Sequence, residues 1–243
     1  AALLLSPVLT PTAFATPAVT AQSAQTHTQS EMQNQTLPAS FFGGVEQGKK
    51  IDYKVLDFVL RTSVLSEGIP QRSTVLEREQ RYDIYRSYPL GDHFTALSAN
   101  RFHYEEYQSN PEMRDVVTQL RQQLSAVPEQ TPLNQLSKNE QLAYWLNLYN
   151  VTVLDEVIKV YPRKDLATFL LGTSEQPGLL SQKILTVAGV RLSLDDIQFA
   201  ILPKQFPQQP EVIYGLYQGI IGSPNLPAIA YTGSNVQQQL VKN

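Results

Sequence analysis

The sequence predicts a helix-rich α+β domain with a small antiparallel sheet or β-hairpin. Two observations carry this. Four stretches place apolar residues at helical spacing, and only one short segment alternates like a strand pair around a tight turn. A third observation is the length, 243 residues, which suits one domain of ordinary size with a tail.

The first 40 residues stand apart. Ala1 to Ala15 is apolar and closes on Ala13-Phe14-Ala15, a small-x-small pattern of the kind signal peptidases cut. Val19-Thr20-Ala21 offers a second cut. Pro7 and Pro11 would break a buried helix or strand here. We expect 1–21 to be the remnant of a signal peptide and 22–40, rich in Gln, Thr and Ser, to be a disordered leader. The expected location is periplasmic or secreted. A single α+β domain is expected over 41–243. Its pattern stops within a helix-like stretch, so the domain is expected to be incomplete at its C-terminus.

Along that domain, Lys50 to Leu65 predicts a helix, with Leu56, Val59, Leu60 and Val64 on one face and Gly68 and Pro70 after it. Ser73 to Tyr88 is a polar helix candidate. Asn100 to Tyr107 is aromatic-rich and reads as strand-like. Pro111 to Val127 predicts a helix capped by Asn110, striped by Val116, Val117, Leu120 and Leu124, and stopped by Pro128.

The main helix follows. Ser137 and Glu140 stand at the capping-box offset, and Pro162 ends the run at Tyr161. At about 100° per residue, Leu142, Leu146, Tyr149, Val153, Val157 and Val160 share an arc. Gln141, Thr152, Asp155, Glu156 and Lys159 lie opposite, together with Trp145 and Leu148, so a neighbour is expected over the first half of that side. Asn147 and Asn150 fall inside the apolar arc. A buried amide needs partners, so each asparagine either fixes a loop backbone or lines a pocket.

Lys183 to Val187 and Val190 to Leu192 then predict a hairpin turning at Ala188-Gly189. Ser193 caps a short helix whose Asp195 and Asp196 read as acids favouring its positive end. Glu211 to Ile221 suits a helix or a buried strand, Gly222-Ser223-Pro224-Asn225 a turn, and Asn235 to Val241 a helix start.

Composition narrows the chemistry. The chain has no cysteine, which removes disulfides, thiol nucleophiles and cysteine-ligated metals. His27, His93 and His103 have no metal-ligand spacing, so neither a metal nor another cofactor is expected. Net charge is −3 without an extended basic cluster, which argues against nucleic acid. No stretch of the mature chain reaches the ~18 to 20 apolar residues of a membrane span.

Three segments carry a resemblance. They are Leu136 to Asn150 with its Trp145-x-Asn147-x-Tyr149-Asn150 core, Val190 to Ile197, and Tyr214-Gly215 through Gly222-Ser223-Pro224-Asn225. In order and spacing they resemble the family called domain of unknown function 547, over roughly Leu136 to Leu240. The resemblance implies export, since bacterial members often carry signals, and more chain beyond Asn243. Many relatives have Ser-Cys-Pro where this chain has Gly222-Ser223-Pro224, and Ile-Glu-His where it has Ile197-Gln198-Phe199. Here Ser223 stands for the thiol, Gln198 for the acid and Phe199 for the imidazole.

These residues predict a non-catalytic binding or scaffolding module of the cell envelope. Its candidate ligand contacts are Asn147, Asn150, Ser223 and Asn225, and its partner is a small molecule, a glycan or an envelope protein. The alternative is a serine hydrolase with Ser223 as nucleophile and His93 or His103 as base, oriented by Asp92, Glu105 or Glu106; a serine without a base is a poor nucleophile.

Overall fold

A computed structural model describes residues 37–65, 100–220 and 223–242. The readings made above for 1–36, for Gly68 and Pro70, for Ser73 to Tyr88, for Asp92 and His93, and for Ile221 and Gly222 lie outside the described residues. All that follows belongs to one compact unit, Thr36–Asn243.

The centre of the fold is a long helix, Lys138–Val160, and the other elements are best placed against it. A 3-10 turn, Ala39–Phe41, comes first and sends Phe41 edge-on against the Trp145 ring, 5.3 Å between centroids. Helix α1 (Lys54–Ser63) buries Leu56, Val59 and Leu60 as their spacing predicts. It runs into β1 (Val64–Leu65), which pairs antiparallel with β2 (Arg101–Phe102).

The strand-like reading of Asn100 to Tyr107 is corrected beyond Phe102. Helix α2 (Tyr104–Ser109) follows, because the aromatic residues pack on each other rather than along a ladder: Phe102 lies 4.9 Å from the rings of both Tyr104 and Tyr107. Tyr107 instead bonds Ser63 at 2.6 Å.

Helix α3 (Pro111–Gln130) has the expected cap, with Asn110 accepting from the N–H groups of Glu112 and Met113. Two details differ from the sequence reading. The helix passes through Pro128 to Gln130, since the missing Pro128 N–H costs one bond while the Thr131 N–H still reaches the Val127 carbonyl at 2.9 Å. Val116 is 38% exposed, whereas Val117 is 1% exposed, so the buried stripe runs through Val117, Leu120 and Leu124.

Helix α4 is the central helix itself. Ser137 caps it by accepting from the Glu140 N–H, and Tyr161 closes it before a cis Tyr161–Pro162 bond. The first half of the polar side is covered, as expected, and the cover continues over Thr152 and Asp155 in the second half, which corrects the reading there. Gln141, Thr152 and Asp155 are all buried. Helix α3 packs along that side. It neutralises Asp155 with Thr118 Oγ1 at 2.7 Å and Arg121 at 2.8 Å, while Lys159 adds an intrahelical pair at 2.8 Å. Arg121 also contacts Glu156 and the Ile184 carbonyl, which anchors the next segment. A buried carboxylate is tolerable only with such compensation.

Helix α5 (Leu166–Leu171) leads to the predicted hairpin, β3 (Leu185–Val187) and β4 (Val190–Leu192), registered Leu185 to Leu192 and Val187 to Val190. Its turn places Ala188 at φ 48° and Gly189 at φ 78°, the doubly positive pair that matches strand twist in a two-residue hairpin. Beyond it the chain is helical but widens into a π-helical stretch over Asp196–Ile201 before α6 (Leu202–Gln205). A 3-10 turn (Pro210–Gly215) replaces the helix or strand expected for Glu211 to Ile221. Helix α7 (Val236–Lys242) ends the described chain and packs on both that turn and α4. No helix among the described residues is long and apolar enough to cross a membrane.

Candidate functional site

Asn147 and Asn150 lie one turn apart on α4, 2% and 4% exposed, where the amphipathic pattern buries them. Each spends its amide on a loop. Asn147 Nδ2 donates to the Tyr231 carbonyl at 2.8 Å and its Oδ1 accepts the Tyr231 N–H at 3.1 Å. Asn150 Nδ2 donates to the Gly215 carbonyl at 3.0 Å and its Oδ1 accepts the Tyr217 N–H at 2.9 Å. A side-chain amide thus takes the part of a strand partner for two irregular segments that could not otherwise be buried. Gly215 fits because a Cβ there would come within 2.8 Å of Leu146.

Glu140 does comparable work, and its capping-box position concealed it. Its carboxylate does not turn back to Ser137. Instead Oε1 accepts the Ile51 N–H at 3.1 Å and Oε2 accepts the Gly233 N–H at 3.0 Å, joining the segment before α1 to the loop before α7. Gln141 and Gln205 similarly close on each other and on the Gly43 backbone.

Asn225 is 7% exposed and accepts the Asn100 N–H at 3.2 Å, while Asn100 Nδ2 reaches the Leu226 carbonyl at 2.8 Å. Ser223 sits on a turn whose N–H bonds the Ile220 carbonyl at 3.1 Å. Its hydroxyl donates to the adjacent Pro224 carbonyl at 3.4 Å, a long contact. His103 precedes α2, with its backbone N–H on the Ser63 carbonyl at 2.9 Å. Glu105 is near enough to feel His103, but its carboxylate accepts the Tyr161 hydroxyl at 2.6 Å, and that bond is the main reason it is held below the usual carboxylate range.

A different group of polar side chains gathers where the π-helical stretch meets α4. Tyr149, fully buried on α4, points its hydroxyl at Gln198 Oε1, 3.4 Å away. Gln218 Nε2 approaches the same oxygen, also at 3.4 Å. Asn150 sets this up, because it fixes the backbone of Tyr217, one residue before Gln218. Asp195 borders Tyr149. Its carboxyl is pushed up to about 6, first by burial and then by the neighbouring Asp196, with Lys183 pulling the other way. Burial, aided by the Asp195 charge, holds the Tyr149 phenol well above its ordinary range.

The two adjacent aspartates therefore differ. Asp196 caps its helix reciprocally with Ser193, accepting the Ser193 N–H at 2.6 Å while its own N–H reaches Ser193 Oγ at 3.1 Å, and it pairs with Lys183 at 2.5 Å. Asp195 makes no hydrogen bond or ion pair among the described residues. Sequence reasoning treated both as helix stabilisers, took Tyr149 for core, and noted Gln198 only as a replacement for an acid. The run Leu194-Asp195-Asp196-Ile197 carries no periodic sign of a π turn that would have separated them.

A family model described as "Protein of unknown function, DUF547" matches residues 133–243, just under half of the chain. No curated protein and no solved structure matches the chain.

Proposed function

Residues 133–243 belong to the DUF547 family, and on that premise we propose that the protein is a non-catalytic binding or scaffolding module of the cell envelope, exported to the periplasm or beyond. The described environment of Ser223 supports this reading. Its hydroxyl contacts the carbonyl of its own neighbour, which can accept a hydrogen bond but cannot take up a proton as a general base. The residue at the position where the resemblance implies an imidazole in many relatives is Phe199, 53% exposed. The amides of Asn147 and Asn150 are spent on loop backbone, which suits a rigid scaffold.

The test is labelling of the full chain with a fluorophosphonate probe, beside Ser223→Ala, His103→Ala and His93→Ala. The expected result is no labelling of Ser223 in the parent protein. Labelling that disappears in Ser223→Ala and in either histidine variant would replace this reading with a serine hydrolase. Export is tested separately, by fractionating cells that produce the chain with and without residues 1–21.

A further inference from the structure

We propose that Tyr149, Asp195, Gln198 and Gln218 form a binding site for a neutral polyhydroxylated ligand, a sugar unit of a glycan. The proposal rests on the binding-module reading above and names the ligand class and the site.

The cluster links Tyr149, Gln198 and Gln218 by long hydrogen bonds and leaves hydrogen-bonding capacity on its partly exposed members, Asp195 and Gln198. One oxygen, Gln198 Oε1, faces two donors, the Tyr149 hydroxyl and Gln218 Nε2, and both stand at 3.4 Å. Ordinary bonds of these types close to about 2.7–3.2 Å. A buried phenol normally secures a partner at that distance, as Tyr107 does with Ser63 at 2.6 Å. Gln198 Nε2 donates to no described residue, and the Asp195 carboxylate accepts from none. The Asp195 carboxylate and the Gln198 amide, three positions apart on one helical turn, thus keep an acceptor and a donor without a partner among the described residues.

The elements that carry these groups are fixed. Tyr149 sits mid-helix on α4, the Gln218 segment is tied by Asn150, and Asp195 is flanked by the Ser193–Asp196 cap. The π-helical turn brings Gln198 into this position, and turns of that kind recur at functional sites. Phe199, the next residue in the chain, is 53% exposed.

The charges select the ligand class. Asp195 and Asp196 repel an anion. A cation would be drawn to Asp195 but could gain nothing from the Gln198 amide N–H groups three positions on. A vicinal diol satisfies both halves, donating one hydroxyl to the carboxylate and accepting from the amide with the other.

The experiment is ligand-observed NMR and calorimetry on the full chain with maltopentaose, cellopentaose, laminaripentaose and N-acetylated chitopentaose. Spermine serves as the cationic probe and pentagalacturonate as the anionic one. At least one neutral pentasaccharide should bind. Gln198→Ala and Asp195→Asn should each weaken that binding at least tenfold while circular dichroism shows an unchanged fold. Phe199→Ala, an exposed substitution that leaves the core alone, should weaken it severalfold. Failure of every neutral saccharide, or preference for spermine or pentagalacturonate, overturns the proposed ligand. Saccharide binding that ignores all three variants overturns the site while sparing the binding-module reading. Covalent labelling of Ser223 overturns that reading instead.

Discussion

Asn147 and Tyr231 are joined by two opposed hydrogen bonds, 2.8 and 3.1 Å, so that one side-chain amide grips a loop residue by both its carbonyl and its N–H. Replacing Asn147 with Ala removes two hydrogen bonds from the buried backbone of Tyr231. Losing each such bond costs about 1–3 kcal/mol, so Asn147→Ala should destabilise by about 2–6 kcal/mol. Asn150→Ala, which orphans Gly215 and Tyr217 in the same way, should cost a similar amount. Urea unfolding of both variants measures this, and midpoints equal to the parent's would mean that the loops do not depend on these amides.

Glu140 supports a second prediction. Gln at this position keeps the shape but turns an NH2 group toward the N–H of either Ile51 or Gly233. Glu140→Gln should therefore lose about 1–3 kcal/mol. Gly233→Ala should be destabilising as well, since a Cβ there would lie 2.5 Å from Glu140 Oε2. The two losses should not add in the double variant, because they strike one contact.

The Asp195 carboxyl gives a pH dependence with a definite sign. Its value in the folded protein, about 6, lies above the ordinary 3.8, so the folded state holds the proton more tightly than the unfolded chain. Stability from this group is complete below about pH 4 and is lost as the pH rises through 6. Asp195→Asn should match the parent at pH 4 and exceed it by about 2–3 kcal/mol at pH 7. Denaturation at the two pH values checks this; a variant less stable than the parent at pH 7 would reverse the sign.

Adjacent valines on α3 test the register of the buried stripe. Val117→Ala should cost about 2 kcal/mol, and Val116→Ala should stay within about 0.5 kcal/mol of the parent. Trp145→Ala, at the centre of the core against Phe41 and Tyr144, should cost about 3–5 kcal/mol. Thermal melts of the three variants would rank them.

Much of the architecture was legible because it rests on short-range rules. The Asn110 and Ser137 caps, the Ala188-Gly189 turn and the apolar face of α1 all follow from spacings of a few residues. What escaped is decided between distant segments. Pro128 was read as a stop, yet a proline removes one donor and leaves the C-terminal turn intact when the next bonds can form. Asp155 lies opposite the apolar arc in the sequence pattern, and its burial there could not be read because its partners, Thr118 and Arg121, are more than thirty positions away. The burial of Asn147 and Asn150 could be read from helical phase, and their partners could not. Tyr149, Gln198 and Gln218 come from three segments that only the folded chain brings together.

The cladding of α4 bears on how this domain could be cut or borrowed. The family match begins at residue 133, but the covering of the central helix does not. Arg121 and Thr118 neutralise Asp155, Phe41 backs Trp145, and the Ile51 N–H caps Glu140, all from upstream of that point. A fragment starting at 133 would present a stripped helix with an uncompensated carboxylate and an open apolar wall. Where similarity starts is therefore not where autonomy starts, and a graft or expression fragment that keeps its native partners has to include the chain from about Leu37 onward.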